Sequence, residues 1–357
     1  MRITDVKYEM VNLKMAIPLK ITYTSMADCP AVFVKISTDE GICGYGEAAP
    51  FAPVTGETEV SVLSVLKMFT PFLIGADPLD IAGIHAKMDS CIYGNGSAKC
   101  AVDIALYDIA SKAAGLPLYR YLGGSSSTIV TDVTIGMDEP AVMAERAMDW
   151  IGRGFKILKL KTGSDPAADL DVIRRIRRAA GEDVLIRIDG NQGYTEQTLL
   201  AILPELAALG VMAVEQPLPY WDIDGLARLK ASSGTVAIMA DESLHDPHDA
   251  LRLCRAKAAD TLNIKLMKCG GIYPALAINA IAESFGVNCM VGCMAESKLA
   301  ISAALALVAA KDNISEADCD SFLLIEDQGL EMKGGFTYSG CSIQLSETPG
   351  LGLDIDF

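Results

Sequence analysis

The chain has 357 residues, enough for one large domain and a smaller one. At 51% hydrophobic and 21% charged it reads as a well-packed globular protein. Its formal net charge of −16 argues against nucleic acid or an anionic membrane surface as a partner.

Residues 1 to 50 alternate like antiparallel strands. Ala31–Ser37, a turn at Thr38–Gly41 and Ile42–Glu47 predict a hairpin. Before it, Ile17–Asp28 is polar and irregular and reads as a mobile loop. From Glu57 to Leu122 the pattern is helical; Ala98–Ala114, for example, closes at Gly115 with Pro117 beyond. Gly123-Gly124-Ser125-Ser126-Ser127 reads as a linker, which puts a domain boundary at 124. A barrel-forming domain is expected over 125–321, with its first strand in Thr128–Met137. Helix signals follow at 139–152, 166–180, 196–209, 223–232, 246–258, 271–285 and 295–310, and none is evident after the last strand. Residues 322–357 are Gly-rich with short strands and are expected to pack back on the N-terminal domain.

Within that barrel region the stretch FKILKLK, Phe155–Lys161, stands out. Period two puts Ile157, Lys159 and Lys161 on one face of a strand. An isolated KxK is most simply an edge strand protected by lysine. Here four further segments end on a charge: VLIRID at Asp189, VMAVE at Glu215, VAIMAD at Asp241 and TLNIK at Lys265. Each comes about one strand plus one helix after the last, the length of a βα unit. Repeated units of this kind imply a parallel sheet covered by helices. In a (β/α) barrel the C-terminal strand ends meet at one mouth. Three carboxylates then converge, flanked by lysines. Unpaired, they would repel each other strongly. An all-oxygen cluster suits Mg²⁺. The lysines have two readings, as neutralising partners in a structural network, or as bases whose pKa a nearby cation lowers.

Other signals are weak. Gly270-Gly271 reads as a helix-start turn, and His85, His245 and His248 lack metal-ligand spacing. Dinucleotide, P-loop and GxSxG motifs are absent. The ten cysteines are scattered, with Cys289 and Cys293 in an apolar strand-like run. The N-terminus lacks an apolar signal core, and the longest apolar run, 299–310, is too short to span a bilayer. A reducing cytoplasm fits these features.

KLK at 159–161, DGNQG at 189–193, VEQP at 214–217, ADES at 240–243 and NIKLMKCGG at 263–271 together resemble the enolase superfamily, muconate lactonizing enzyme subgroup. So does AVDIALYDIASKAAGLPLYRYLGG at 101–124. The resemblance implies a modified TIM barrel, (β/α)7β, with an α+β capping domain built from the N-terminal region and the C-terminal tail. It implies one Mg²⁺ per subunit on Asp189, Glu215 and Asp241, Lys161 and Lys265 as bases on opposite faces of a substrate α-carbon, and Lys159 stabilising an enediolate.

Asp318-Cys319-Asp320 is similar to the DxD motif with which dipeptide epimerases hold a substrate ammonium group, and GCMAES at 292–297 looks like that group too. Taken alone, the two acids read as a solvated strand end. Thr134 and Cys293, at strand ends, are expected to line the substrate site. Epimerases acting on Ala-Glu carry an Arg near the position of Thr24, yet no Arg occurs between Arg2 and Arg120. Lys20 would serve only as a point charge. A neutral or apolar side chain on the dipeptide's C-terminal residue is therefore expected. The implied partners are a dipeptide and further copies of the chain in a homo-oligomer, with no nucleic acid and no membrane. The alternatives are N-acylamino acid racemase, o-succinylbenzoate synthase or cycloisomerase, none needing the acidic pair, and a non-catalytic, metal-stabilised binding protein, which would not need two flanking bases.

Overall fold

The computed structural model describes residues 1–357. Alternation through Ile3–Ile21 and Thr24–Thr38 builds a long antiparallel hairpin that buries Val11, Leu13 and Met15 on one face. A third strand, Cys43–Ala48, pairs with the second, and Ile325–Asp327 from the tail pairs with the first. The helix Gly96–Ala113 lies against this sheet, buried almost all round. Its close approach depends on two glycines: a Cβ on Gly44 would fall 2.1 Å from Ala105 O, and one on Gly46 1.9 Å from Ala101 O.

Ile17–Asp28 is not the irregular loop its polarity suggests. It is the hairpin's tip, with Leu19 opposite Met26, Lys20 opposite Ser25 and Ile21 opposite Thr24. Ile21 is buried and Leu19 and Met26 are half-buried towards the barrel mouth, a partner distant in sequence, so the local pattern does not reveal the strand.

Eight parallel strands form the second unit: Val133–Ile135, Ile157–Lys161, Leu185–Asp189, Val211–Glu215, Ala237–Ala240, Thr261–Lys265, Asn288–Gly292 and Ile314–Asp318. Seven long helices alternate with them, from Pro140–Gly152 to Lys298–Ala310, giving a (β/α)7β barrel. Asp165, Thr195, Asp222, Asp246 and Ser297 cap helix N-termini with their side chains. The first and eighth strands close the ring without a regular ladder. Asp132 N donates to Ala317 O at 3.3 Å, and Cys319 N to Thr131 Oγ1 at 3.0 Å.

Two local readings are corrected. Thr128–Val130 pairs with Ser342–Gln344 of the tail, so the barrel starts at Val133. A one-turn helix, Ser321–Leu324, follows the last strand, where no helix signal was evident. One continuous apolar core runs from the sheet through Gly96–Ala113 into the barrel wall. No helix is long and apolar enough to cross a membrane.

Candidate active site

Period two turns Lys159 and Lys161 into the barrel, where both are buried. Lys161 Nζ lies 2.7 Å from Asp189 Oδ2, at the end of the next strand. Across the mouth, Lys265 Nζ lies 2.7 Å from Asp241 Oδ2. Lys159 sits between them, 3.0 Å from Glu215 Oε1 and 2.7 Å from Asp318 Oδ2. Asp189, Glu215 and Asp241 each bring a carboxylate oxygen within 4.8 Å of the others, and all three are buried.

Their charges are strongly coupled. Burial opposes ionisation of Asp189, yet Lys161 and Lys159 hold its carboxyl down to about 2. Against the same burial, Lys265 and Lys268 hold Asp241 well below the carboxylate range. Glu215 goes the other way, pushed up to about 7 by burial and by the charge of Asp189. Burial favours neutral lysines, but Asp318 and Glu215 raise Lys159 well above its ordinary value, and Asp241 raises Lys265. In the chain's own field a carboxylate faces each of these two ammonium groups, which favours their charged form.

The three acids fit a hard divalent cation. All donors are oxygens, and Glu215 Oε2, though 2.9 Å from the Lys159 ammonium, is buried without an aligned hydrogen bond. Glu215 Oε1 is held by Asn263 Nδ2 at 2.8 Å. Asn263 escaped sequence reasoning, although it stands two residues before Lys265 and period two would have placed it on the same face. Lys268 was missed as well. It bonds the Asp241 carboxylate and carbonyl and accounts for one lysine in the NIKLMKCGG run.

Asp318 ends the eighth strand, whereas Asp320 lies beyond it, as the first residue of the turn into Ser321–Leu324. The two are not successive members of a regular strand, but both still line the mouth. Asp320 Oδ2 accepts from Thr134 N at 2.5 Å, and Cys293 Sγ lies 3.9 Å from Asp320 Oδ1. Burial and the neighbouring Asp318 push the Asp320 carboxyl up to about 6. Lys159 and Arg187 outweigh burial at Asp318 and lower it. Arg187, also missed, is buried one layer below, with its guanidinium 2.5 Å from Asp132 Oδ2.

Lys159, Lys161, Lys265, Asp318, Asp320, Thr134 and Cys293 line one cavity of about 190 Å³. Its roof is the hairpin tip, with Leu19, Ile21, Tyr23 and Met26. Thr24 does not line it, because the side chains that do belong to its neighbours on the hairpin. The tip is tied down by Thr22 Oγ1, which donates to Thr162 O at 2.9 Å, and by Tyr23 OH, which donates to Glu242 Oε1 at 2.9 Å.

A (β/α)7β barrel with acids and lysines at its strand ends, under an α+β cap, defines a class of protein. Residues 3–123 match the mandelate racemase / muconate lactonizing enzyme N-terminal domain, and residues 142–357 the enolase C-terminal domain-like family. The chain belongs to the enolase superfamily, in its mandelate racemase / muconate lactonizing enzyme branch. It is 39% identical to a hydrophobic dipeptide epimerase of Enterococcus faecalis, over 99% of each chain. It is 38% identical to an N-succinyl-L-Arg/Lys racemase of Bacillus cereus, over 100% of this chain and 96% of that one. The crystal structure of the Enterococcus faecalis dipeptide epimerase with Mg and L-Leu-L-Tyr superposes with a TM-score of 0.96 at 39% identity, covering 99% of this chain and 100% of that one.

Proposed function

We propose that the chain is a Mg²⁺-dependent dipeptide epimerase that inverts the α-carbon of the C-terminal residue. The observation that carries this reading is the acidic pair Asp318 and Asp320 in the same cavity as Asp241 and the three lysines, with Lys159 bridging Asp318 to Glu215 of the triad. Asp189, Glu215 and Asp241 would hold Mg²⁺, which supplies positive charge to bind the substrate carboxylate and to stabilise charge developing on it. Lys161 and Lys265 stand on opposite sides of the mouth, facing Asp189 and Asp241. One, neutral, takes the α-proton; the other, protonated, returns a proton to the opposite face. The electron pair left by the first proton spreads into the carboxylate as an enediolate, beside the Lys159 ammonium. Asp318 and Asp320 accept from the ammonium group at the far end of the dipeptide.

The hairpin's Ile21 and Met26, with Phe51, support a neutral or apolar C-terminal side chain. Ten free cysteines suit a reducing compartment, the cytoplasm. In this reading residues 1–124 cap a domain of 125–321 that contains the barrel, and 322–357 complete the cap.

The Bacillus cereus relative favours a second reading, racemisation of an N-acylated amino acid. Such a substrate has no ammonium group and would leave Asp320, whose partners are Thr134 N and Cys293 Sγ, buried without a cationic partner, a costly arrangement. The deciding experiment is incubation with Mg²⁺ in D₂O against libraries of free dipeptides and N-acylamino acids, read by mass spectrometry. Deuterium should enter the C-terminal α-position of dipeptides. Exchange confined to N-acyl substrates would transfer the assignment to the racemase.

A further inference from the structure

The cavity over the strand ends, at about 190 Å³, is smaller than the roughly 300–1,000 Å³ of ordinary small-molecule sites. A second cavity, of about 560 Å³, lies beside it, between the first capping strand and the helix Pro140–Gly152. Met15, Leu19, Thr134 and Leu324 line both, and so form the wall between them. That wall stands at the ammonium end of the site. Thr134 N donates to Asp320 Oδ2, and Leu324 belongs to the one-turn helix that Asp320 begins. Beyond the wall the lining is largely apolar, with Ile17, Pro18, Val142, Trp150 and Leu323. Its charges lie towards solvent and are mostly paired already, Arg153 with Asp149 at 2.6 Å and Arg146 with Asp138 at 2.9 Å.

We infer that this second cavity receives the side chain of the dipeptide's N-terminal residue, and that it selects a large apolar or aromatic one. The inference rests on the dipeptide epimerase reading above. With its ammonium group on Asp318 and Asp320, the substrate's N-terminal α-carbon is one bond from that nitrogen, against the shared wall. A side chain on that carbon starts at the wall, and the larger cavity is the space behind it. Met15, Leu19 and Leu324 are unbranched at Cβ, and methionine in particular adapts its rotamers to what it packs against. The wall therefore yields to a bulky side chain, while alanine leaves the second cavity unfilled.

The test is kcat/KM for L-Phe-L-Leu against L-Ala-L-Leu. The wild type should favour the phenylalanyl dipeptide by about tenfold or more, as apolar pockets discriminate by size. Val142→Trp, which fills the cavity, should collapse that ratio. Ile17→Arg, at a side chain 57% exposed and so tolerant of change, should lower it as well. Equal or inverted wild-type preference overturns the subsite, and so does a ratio that survives in a folded variant. Failure of the wild type to epimerise any dipeptide, or to exchange its α-proton, overturns the epimerase reading itself and the subsite with it.

Discussion

Lys161 and Lys265 are mirror partners: each is buried and each sits 2.7 Å from a carboxylate that ends a neighbouring strand. Lys159 is different, since it touches Glu215 and Asp318 together and so carries a fixed positive charge at the centre. Alanine at either Lys161 or Lys265 should therefore stop epimerisation, while the remaining lysine still exchanges the α-proton of one stereoisomer. Chiral chromatography with deuterium analysis measures both, and unimpaired epimerisation in either variant would sink the two-base assignment. At the other end, Asp318→Asn with Asp320→Asn should lower kcat/KM for free dipeptides by roughly one to two powers of ten per lost contact, because a hydrogen bond to a charged group is worth about 1.5–3 kcal/mol. N-acetylated substrates should be spared. The same acceptor has a pH signature. The Asp320 carboxyl, raised to about 6, is anionic above that pH and neutral below it. KM for a free dipeptide should accordingly climb as pH falls through about 6, whereas KM for its N-acetylated counterpart stays flat. Parallel rises for both would remove Asp320 from the ammonium site.

At the scale of elements, the most demanding contact is that of Gly96–Ala113 on the capping sheet. Gly46→Ala would drive a methyl into the carbonyl of Ala101, and backbone on both sides leaves no rotamer to absorb it. Overpacking of this kind costs about 1–3 kcal/mol or more. Urea denaturation should show a lower midpoint at unchanged slope; an unchanged midpoint would mean that the helix shifts freely on the sheet. The elements differ in how legible they were. The strands ending at Lys161, Asp189, Glu215, Asp241 and Lys265 declare themselves because charge at the end of an apolar run is rare and recurs at the βα spacing. The hairpin tip does not, because Leu19, Ile21 and Met26 face the barrel mouth, a surface distant in sequence, and not a core of their own sheet. The start of the barrel was misplaced for a similar reason: Thr128–Val130 is a genuine strand whose partner, Ser342–Gln344, is more than two hundred residues away. Lys268 and Arg187 were illegible because a buried cation becomes informative only when the carboxylate opposite it is known.

Beside the apolar core shared by the two halves, buried carboxylates of the capping half sit on helix N-termini of the barrel, where unpaired N–H groups and the helix dipole favour negative charge. Asp103 accepts from Ile272 N at 2.5 Å and Tyr273 N at 3.1 Å, at the start of Ile272–Ser284. It fits there because position 271 is glycine, where a Cβ would fall 2.3 Å from the carboxylate. Glu47 does the same for Lys298–Ala310, accepting from Ser297 N at 2.8 Å, Ser297 Oγ at 2.5 Å and Ala300 N at 3.0 Å. Those two helices flank the strand that ends near Cys293, so both latches fix the cap over the reacting lysines. Glu47→Ala leaves three buried donors without their acceptor, at about 1–3 kcal/mol for each one that finds no water. Stability should fall by on the order of 3 kcal/mol, with cap and barrel still unfolding together if Asp103 holds. Glu47→Gln, which keeps one carbonyl oxygen, should lose less. Because the hairpin roof rides on the same sheet as Glu47, KM should rise in Glu47→Ala more than kcat falls. Chemical denaturation followed by circular dichroism, with steady-state kinetics on the same samples, measures both. If Glu47→Ala leaves stability within about 0.5 kcal/mol of wild type, the ordinary range for a surface substitution, then the carboxylate is not a latch and apolar packing alone joins the two halves.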